Sequence, residues 1–158
     1  MRTAEESEIW RKVLPPMIIA AVRMKAPYSE CGKGFRKIGR ALGRYANGKP
    51  FLLHYEAGFS EIADFEACMP LKKECSADGI EVRTLPGGPC ISFIHHGPYE
   101  LLGQAYSHIT DYIESRKVRT CLPSREIYLK GPGIFLRGNP KHYVTEIQIP
   151  IEGNEPTS

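Results

Sequence analysis

The side chains best suited to chemistry in this chain are carboxylates set inside apolar strands, with tyrosines within reach. Glu146 lies in His142-Tyr143-Val144-Thr145-Glu146-Ile147-Gln148-Ile149-Pro150, a run of β-branched and aromatic residues closed by proline. Alternation along a strand puts Val144, Glu146 and Gln148 on one face, and Thr145, Ile147 and Ile149 on the other. A carboxylate there either faces solvent or needs a partner, because burying it alone is costly. Glu66 is a second such group, with Asp64 and Cys68 on its face of the strand. A buried glutamate walled by aromatic rings suits a lipophilic cation. The carboxylate neutralises charge, and each ring adds cation–π attraction of roughly 0.5–2 kcal/mol. The rings available are Tyr128, Tyr106, Tyr55, Phe35 and Phe93. Tyr128 ranks first, since it alternates against Ile127 and Leu129 and so faces away from them. Tyr106 also fits the core side of a helix, and Phe35 and Phe93 are assigned to the core.

Other chemistries find little support. The five cysteines (Cys31, Cys68, Cys75, Cys90, Cys121) are odd in number and form no Cys-x-x-Cys pair, against both a zinc site and a disulfide framework. His95 and His96 are adjacent, so a strand would send them to opposite faces. His54, His108 and His142 have no ligand spacing. No metal or cofactor is expected, and no Ser-His-Asp set, phosphate loop or dinucleotide motif occurs. The net charge of +3 is spread along the chain. Arg36, Lys37, Arg40 and Arg44 read as a solvated helix face, so direct nucleic-acid binding is not expected. No run is apolar enough to span a bilayer, and the polar start (Met1 to Glu6) does not read as a signal peptide. The expected compartment is the cytoplasm.

The elements that must position these groups follow from periodicity. Ile9 to Lys25 holds two strand-like runs split by Pro15-Pro16, which suggests a bend or an edge. A helix is expected from about Ser29, as N-cap, to Ala46, with Phe35, Ile38, Leu42 and Tyr45 as its apolar stripe. Its four glycines weaken it, unless they allow close approach to a neighbour or a ligand. Strands follow at Phe51–Tyr55 and Ile62–Leu71, with a turn at Gly58-Phe59-Ser60. Further strands are read at Ile80–Leu85 and Cys90–His95. A second helix runs from about Tyr99 to Arg116, with Leu102, Tyr106, Ile109 and Ile113 inward. The strands at Arg125–Lys130 and around Glu146 complete the chain, separated by turn clusters at Gly131-Pro132-Gly133 and Gly138-Asn139-Pro140.

The two halves align. Leu14-Pro15 recurs as Leu85-Pro86, and Ala26-Pro27-Tyr28 recurs at the same interval as Gly97-Pro98-Tyr99. Glu66-Ala67-Cys68-Met69-Pro70-Leu71 matches Glu146-Ile147-Gln148-Ile149-Pro150-Ile151 at a slightly longer interval. The expectation is one 1–158 domain built as a pseudo-twofold tandem repeat, residues 9–71 and 79–151. Each half would read strand-helix-strand-strand. Glu66 and Glu146 would then be equivalent and would lie near the cleft where the halves meet.

Three ordered motifs carry a family resemblance: Gly97-Pro98-Tyr99-Glu100-Leu101-Leu102-Gly103-Gln104-Ala105-Tyr106, Ser124-Arg125-Glu126-Ile127-Tyr128-Leu129, and Thr145-Glu146-Ile147-Gln148-Ile149-Pro150. With Ala63 to Pro70 they resemble the GyrI-like small-molecule-binding domain, the effector-binding domain of multidrug-sensing regulators. The resemblance implies an α+β fold. It would have two main helices on a curved antiparallel sheet and a central ligand cleft. It implies a binder of lipophilic, cationic, drug-like molecules with Glu146 as anchor, and the expected ligand-binding set is Glu146, Tyr128, Tyr106, Tyr55 and Glu66. With only short polar stretches outside the strands, the chain is expected to be a stand-alone module without the DNA-binding segment of the family's regulators. Tyr128 sits in the motif next to the Glu146 strand. If the chain is an enzyme, the resemblance implies a hydrolase of reactive electrophiles using Glu146 and Tyr128. A third implied reading is a protein partner, DNA gyrase.

Overall fold

The computed structural model describes residues 9–56, 61–131 and 139–152. The turn expected at Gly58–Ser60, most of the cluster between 132 and 138, and both polar ends lie outside the described residues. Eight strands form one antiparallel sheet curled into a half-barrel: β1 (Ile9–Leu14), β2 (Met17–Ala26), β3 (Phe51–His54), β4 (Ala63–Pro70), β5 (Glu81–Leu85), β6 (Gly88–His96), β7 (Ser124–Lys130) and β8 (Val144–Pro150). Two helices, α1 (Cys31–Leu42) and α2 (Leu102–Arg116), complete the α+β fold. Among the described residues no helix is long and apolar enough to cross a membrane.

The sheet order is β1-β6-β8-β7-β3-β4-β2-β5. β3 and β7 meet at its centre. Outward from that seam each side runs through comparable strands: β4 then β2 on one side, β8 then β6 on the other. The edge strands are exchanged. β1 pairs with β6, and β5 pairs with β2. Glu66 faces Arg23 and Leu53 across its neighbours, and Glu146 faces Ile94 and Ile127.

Both helices cover the same face of the sheet. Ile38 and Leu42 of α1 pack with Ala20 and Leu71, and Leu102, Ala105 and Ile109 of α2 pack with Phe93 and Ile147. Each helix is entered the same way. An extended proline (Pro27 or Pro98) ends the preceding run, and a 3-10 turn (Tyr28–Glu30 or Tyr99–Leu101) leads into the α-helix. Ser29 is therefore inside a 3-10 turn and is not the N-cap. That position falls to Glu30, with no side-chain cap. Gly34 explains part of the glycine content of α1: a Cβ there would lie 2.7 Å from Ala67 Cβ and 3.0 Å from Met24 Sδ, so the helix sits directly on β4 and β2. Gly39 and Gly43 face open space.

The other face also carries a core, formed by Ile19, Ala21, Phe51, Leu53, Cys68 and Leu85. Cys68 and Cys90 are both fully buried. The parity of every strand therefore decides between two buried environments.

Candidate functional site

A cavity of about 1120 Å³ opens over the β3–β7 seam, between the first turns of the two helices. Tyr28, Cys31 and Phe35 come from the α1 side, Tyr99, Leu102 and Tyr106 from the α2 side, and Leu52, His54, Glu126 and Tyr128 from the seam strands. The Pro-Tyr entry to each helix is what delivers Tyr28 and Tyr99 to it. A smaller chamber of about 290 Å³ shares Tyr28, His54, Gly103, Tyr106 and Glu126 as a common wall and adds Glu56, Ser107, Thr110 and Ser124. The larger volume is ample for a drug-sized ligand.

Glu126 is the buried acid of this cavity. It is 6% exposed and pairs across the sheet with Leu52 and Ile147, on the helix-covered face. Three donors converge on it. His54 Nε2 lies 3.0 Å from Oε2, the Tyr106 hydroxyl donates to Oε2 at 2.5 Å, and the Tyr128 hydroxyl donates to Oε1 at 2.9 Å. Burial pushes the Glu126 pKa up, but the hydrogen bond and charge of His54, then the bonds from Tyr106 and Tyr128, outweigh it and hold the carboxyl below its ordinary value. Burial, then the adjacent carboxylate, raises both phenols well above the tyrosine range, so they remain donors. His54 Nδ1 in turn lies 3.0 Å from the Tyr28 hydroxyl.

The aromatic wall is continuous. Tyr128 meets Phe35 edge-on at 6.1 Å and Tyr99 at 5.5 Å between ring centroids. Tyr99 also lies over Gly131, where a Cβ would come within 2.6 Å of its hydroxyl. Phe35, assigned to the core from its place in the helix stripe, packs against the cluster of Leu52, Phe65 and Ala67 and also lines the cavity. Phe93 is buried, with its ring against His108.

Of the residues singled out from the sequence, Tyr128 and Tyr106 come together here. Glu146, Glu66 and Tyr55 do not. Glu146 is buried, but it pairs with Ile127, whereas Tyr128 pairs with Thr145, so the two side chains leave opposite faces of the sheet. Glu146 forms an ion pair with Lys12 of β1 and accepts from Ser92 and Gln148, both at 2.7 Å. Burial acts against its ionised form, but these partners lower its pKa. Glu66 shares that face. It binds Arg83 through both oxygens, at 2.6 and 2.9 Å, and accepts the Tyr55 hydroxyl. Tyr55, its phenol pushed up to about 12 by burial and then by Glu66, stacks under Arg23 at 3.7 Å. Arg23 itself is held by both oxygens of Asp64, at 2.6 and 2.8 Å.

Glu126, His54 and Tyr28 were not singled out from the sequence. For Glu126 a signal existed. It lies two positions before Tyr128 in the same strand and so shares its face. Tyr28 follows the same Pro-Tyr entry to a helix as Tyr99, the match of Ala26-Pro27-Tyr28 with Gly97-Pro98-Tyr99 read from the sequence. His54 had no sequence signal of its own. Among the described residues no cluster of three metal-ligating side chains occurs.

The sequence matches the family described as GyrI-like small molecule binding domain over residues 9–152. No curated protein sequence matches the chain. Solved structures share the fold. The EcmrR C-terminal domain superposes with TM-score 0.79 at 24% identity, covering 91% of this chain and 96% of that one. A structure described as a hydrolase from Listeria innocua gives 0.66 at 14% identity, covering 94% of each chain. SAV2435 bound to tetraphenylphosphonium gives 0.63 at 17%, covering 92% of this chain and 94% of that one.

Proposed function

Because the chain belongs to the GyrI-like small-molecule-binding family, we propose that its ligands are lipophilic, cationic and drug-like, and that Glu126 anchors them in the cavity over the seam. One observation carries this reading. Three glutamates are buried among the described residues. Glu66 has Arg83 and Glu146 has Lys12, each a permanent cation. Glu126 has no arginine or lysine; its partners are two phenols and the His54 imidazole, which is a counter-ion only when protonated. A carboxylate that is buried, ionised and without a fixed counter-ion gains most from a cation brought by a ligand. Tyr99, Tyr128 and Phe35 supply ring surface for it, at roughly 0.5–2 kcal/mol per favourable cation–π contact. The fold neighbour bound to tetraphenylphosphonium supports the same chemistry.

The test is calorimetric titration with tetraphenylphosphonium, on wild type and on Glu126→Gln. The expected result is binding to the wild type, weakened at least tenfold in the variant. Equal affinities would remove Glu126 as the anchor.

Hydrolysis of reactive electrophiles is the second reading, favoured by the phenols that touch the carboxylate. It ranks below binding because a carboxylate that already accepts three hydrogen bonds, with a lowered pKa, is a weak base for activating water. Consumption of a strained electrophile by wild type, and not by Glu126→Gln, would reverse the ranking.

A further inference from the structure

The larger cavity holds charge of both signs, sorted by depth. Glu126 is buried at the seam. Arg36 of α1, Lys49 just before β3 and Lys130 at the end of β7 line the same cavity and are exposed. Three separate parts of the chain thus bring a cation to one mouth. Among the described residues none of the three has an ion-pair partner. One exposed acid, Glu100, shares this rim, and a second, Glu56, lines the smaller chamber that shares Glu126. Between rim and floor the walls are apolar and aromatic: Phe35, Leu52, Tyr99 and Leu102.

This arrangement is awkward for a simple cation. It would pass a net positive rim to reach its carboxylate, and it would leave the rim charges unanswered once bound. A molecule with an anionic group at its outer end meets both conditions. From this we infer that the cavity is built for amphoteric aromatic ligands, with a cationic inner end at Glu126 and a carboxylate at the mouth among Arg36, Lys49 and Lys130. The inference rests on the proposed role of Glu126 and adds the class of the ligand's second group. The guanidinium of Arg36 can take a carboxylate through two parallel hydrogen bonds, while the two lysines act as point charges. The inner contact is shielded from salt by its burial, and the outer contacts are screened within about 10 Å at 0.1 M salt. The two ends are therefore separable by experiment.

A matched pair of fluorescent probes tests this. A xanthene dye with a free benzoate carboxylate and the ethyl ester of the same dye share one cationic ring system. Binding of both to the full chain is followed by fluorescence polarisation at low salt and at 0.5 M salt. The free acid is expected to bind about tenfold more tightly than the ester at low salt, a ratio within reach of three weak surface pairs. That preference should shrink at 0.5 M salt. The triple variant Arg36→Gln, Lys49→Gln, Lys130→Gln should bring the ratio to about one, by weakening the acid and by relieving the repulsion that the rim exerts on the cationic ester. An ester that binds wild type as well as the acid does would overturn the inference and leave the proposed function standing. So would a preference that survives in the triple variant. If neither dye binds, or if Glu126→Gln leaves both affinities unchanged, the reading of the cavity itself fails and this inference falls with it.

Discussion

The ring of His54 bridges Glu126 and Tyr28, with Nε2 3.0 Å from the carboxylate and Nδ1 3.0 Å from the phenol. The imidazole thus fixes both the acid of the cavity and the tyrosine at the entrance to α1. Replacing it by an apolar side chain removes a donor from a buried carboxylate, which costs about 1–3 kcal/mol. His54→Leu is therefore expected to lower the urea midpoint at pH 7 with an unchanged slope. A midpoint equal to wild type would show that the bridge adds nothing to the fold.

Acid should reveal the same carboxylate. The pKa of Glu126 in the folded protein lies below its ordinary value of 4.5. Stability from its ionisation is then fully present above about that pH, and is lost as pH falls through the lower folded value. Glu66 and Glu146 shift in the same direction and titrate in the same window. Denaturant midpoints followed from pH 7 to pH 3 should fall on the acid side, and Glu126→Gln should flatten that fall without abolishing it. Affinity for tetraphenylphosphonium, a permanent cation, should decline only as pH falls through the lowered folded value. Affinity that stays level while the carboxylate band of Glu126, followed by infrared difference against Glu126→Gln, disappears would mean that the bound cation does not depend on an ionised carboxylate.

Glu126 and Glu146 offer a paired test, since they occupy opposite faces of neighbouring strands. Glu146→Gln breaks the pairing with Lys12, which ties edge strand β1 to β8. It is expected to lower stability and to spare ligand affinity. Glu126→Gln is expected to do most of its damage to affinity. Thermal unfolding and calorimetric titration on both proteins would separate the roles, and a loss of affinity in Glu146→Gln alone would restore that residue as the anchor.

Two glycines in α1 should respond in opposite ways. Alanine at Gly39 meets no atom within 4 Å, so the variant should gain up to about 1 kcal/mol of helix propensity. Alanine at Gly34 drives a methyl into Ala67 and Met24, and overpacking of this kind typically costs about 1–3 kcal/mol. Urea denaturation of both variants checks the pair. A Gly34→Ala protein as stable as wild type would show that α1 shifts freely on the sheet.

Much of the fold was legible because strands and helices announce themselves by period. The strand around Glu146 was read in the correct phase, with Val144 and Gln148 beside the glutamate. What periodicity does not encode is which buried face the helices cover. Here both faces carry a core, so an apolar neighbourhood around Glu146 was compatible with either. The matching of Glu66 with Glu146 then drew attention to two acids that already have arginine and lysine partners. Those partners, Arg83 and Lys12, come from the edge strands β5 and β1, and no local pattern links them to the acids. Glu126 was visible as the same-face neighbour of Tyr128, and alternation alone sufficed to pick it. Phe35 packs against the core as its place in the helix stripe implies, but its ring also borders the cavity, and only the placement of α1 beside the seam shows that second contact.

The exchanged edge strands have a consequence for how the polypeptide is made. Ile9 finds its sheet partner at Phe93, and Leu14 finds its own at Gly88. During synthesis β1 stays without its sheet partner until β6 has left the ribosome. Lys12, half-buried on that strand, meets Glu146 only after β8 has emerged. That ion pair therefore ties the first of the described strands to the last.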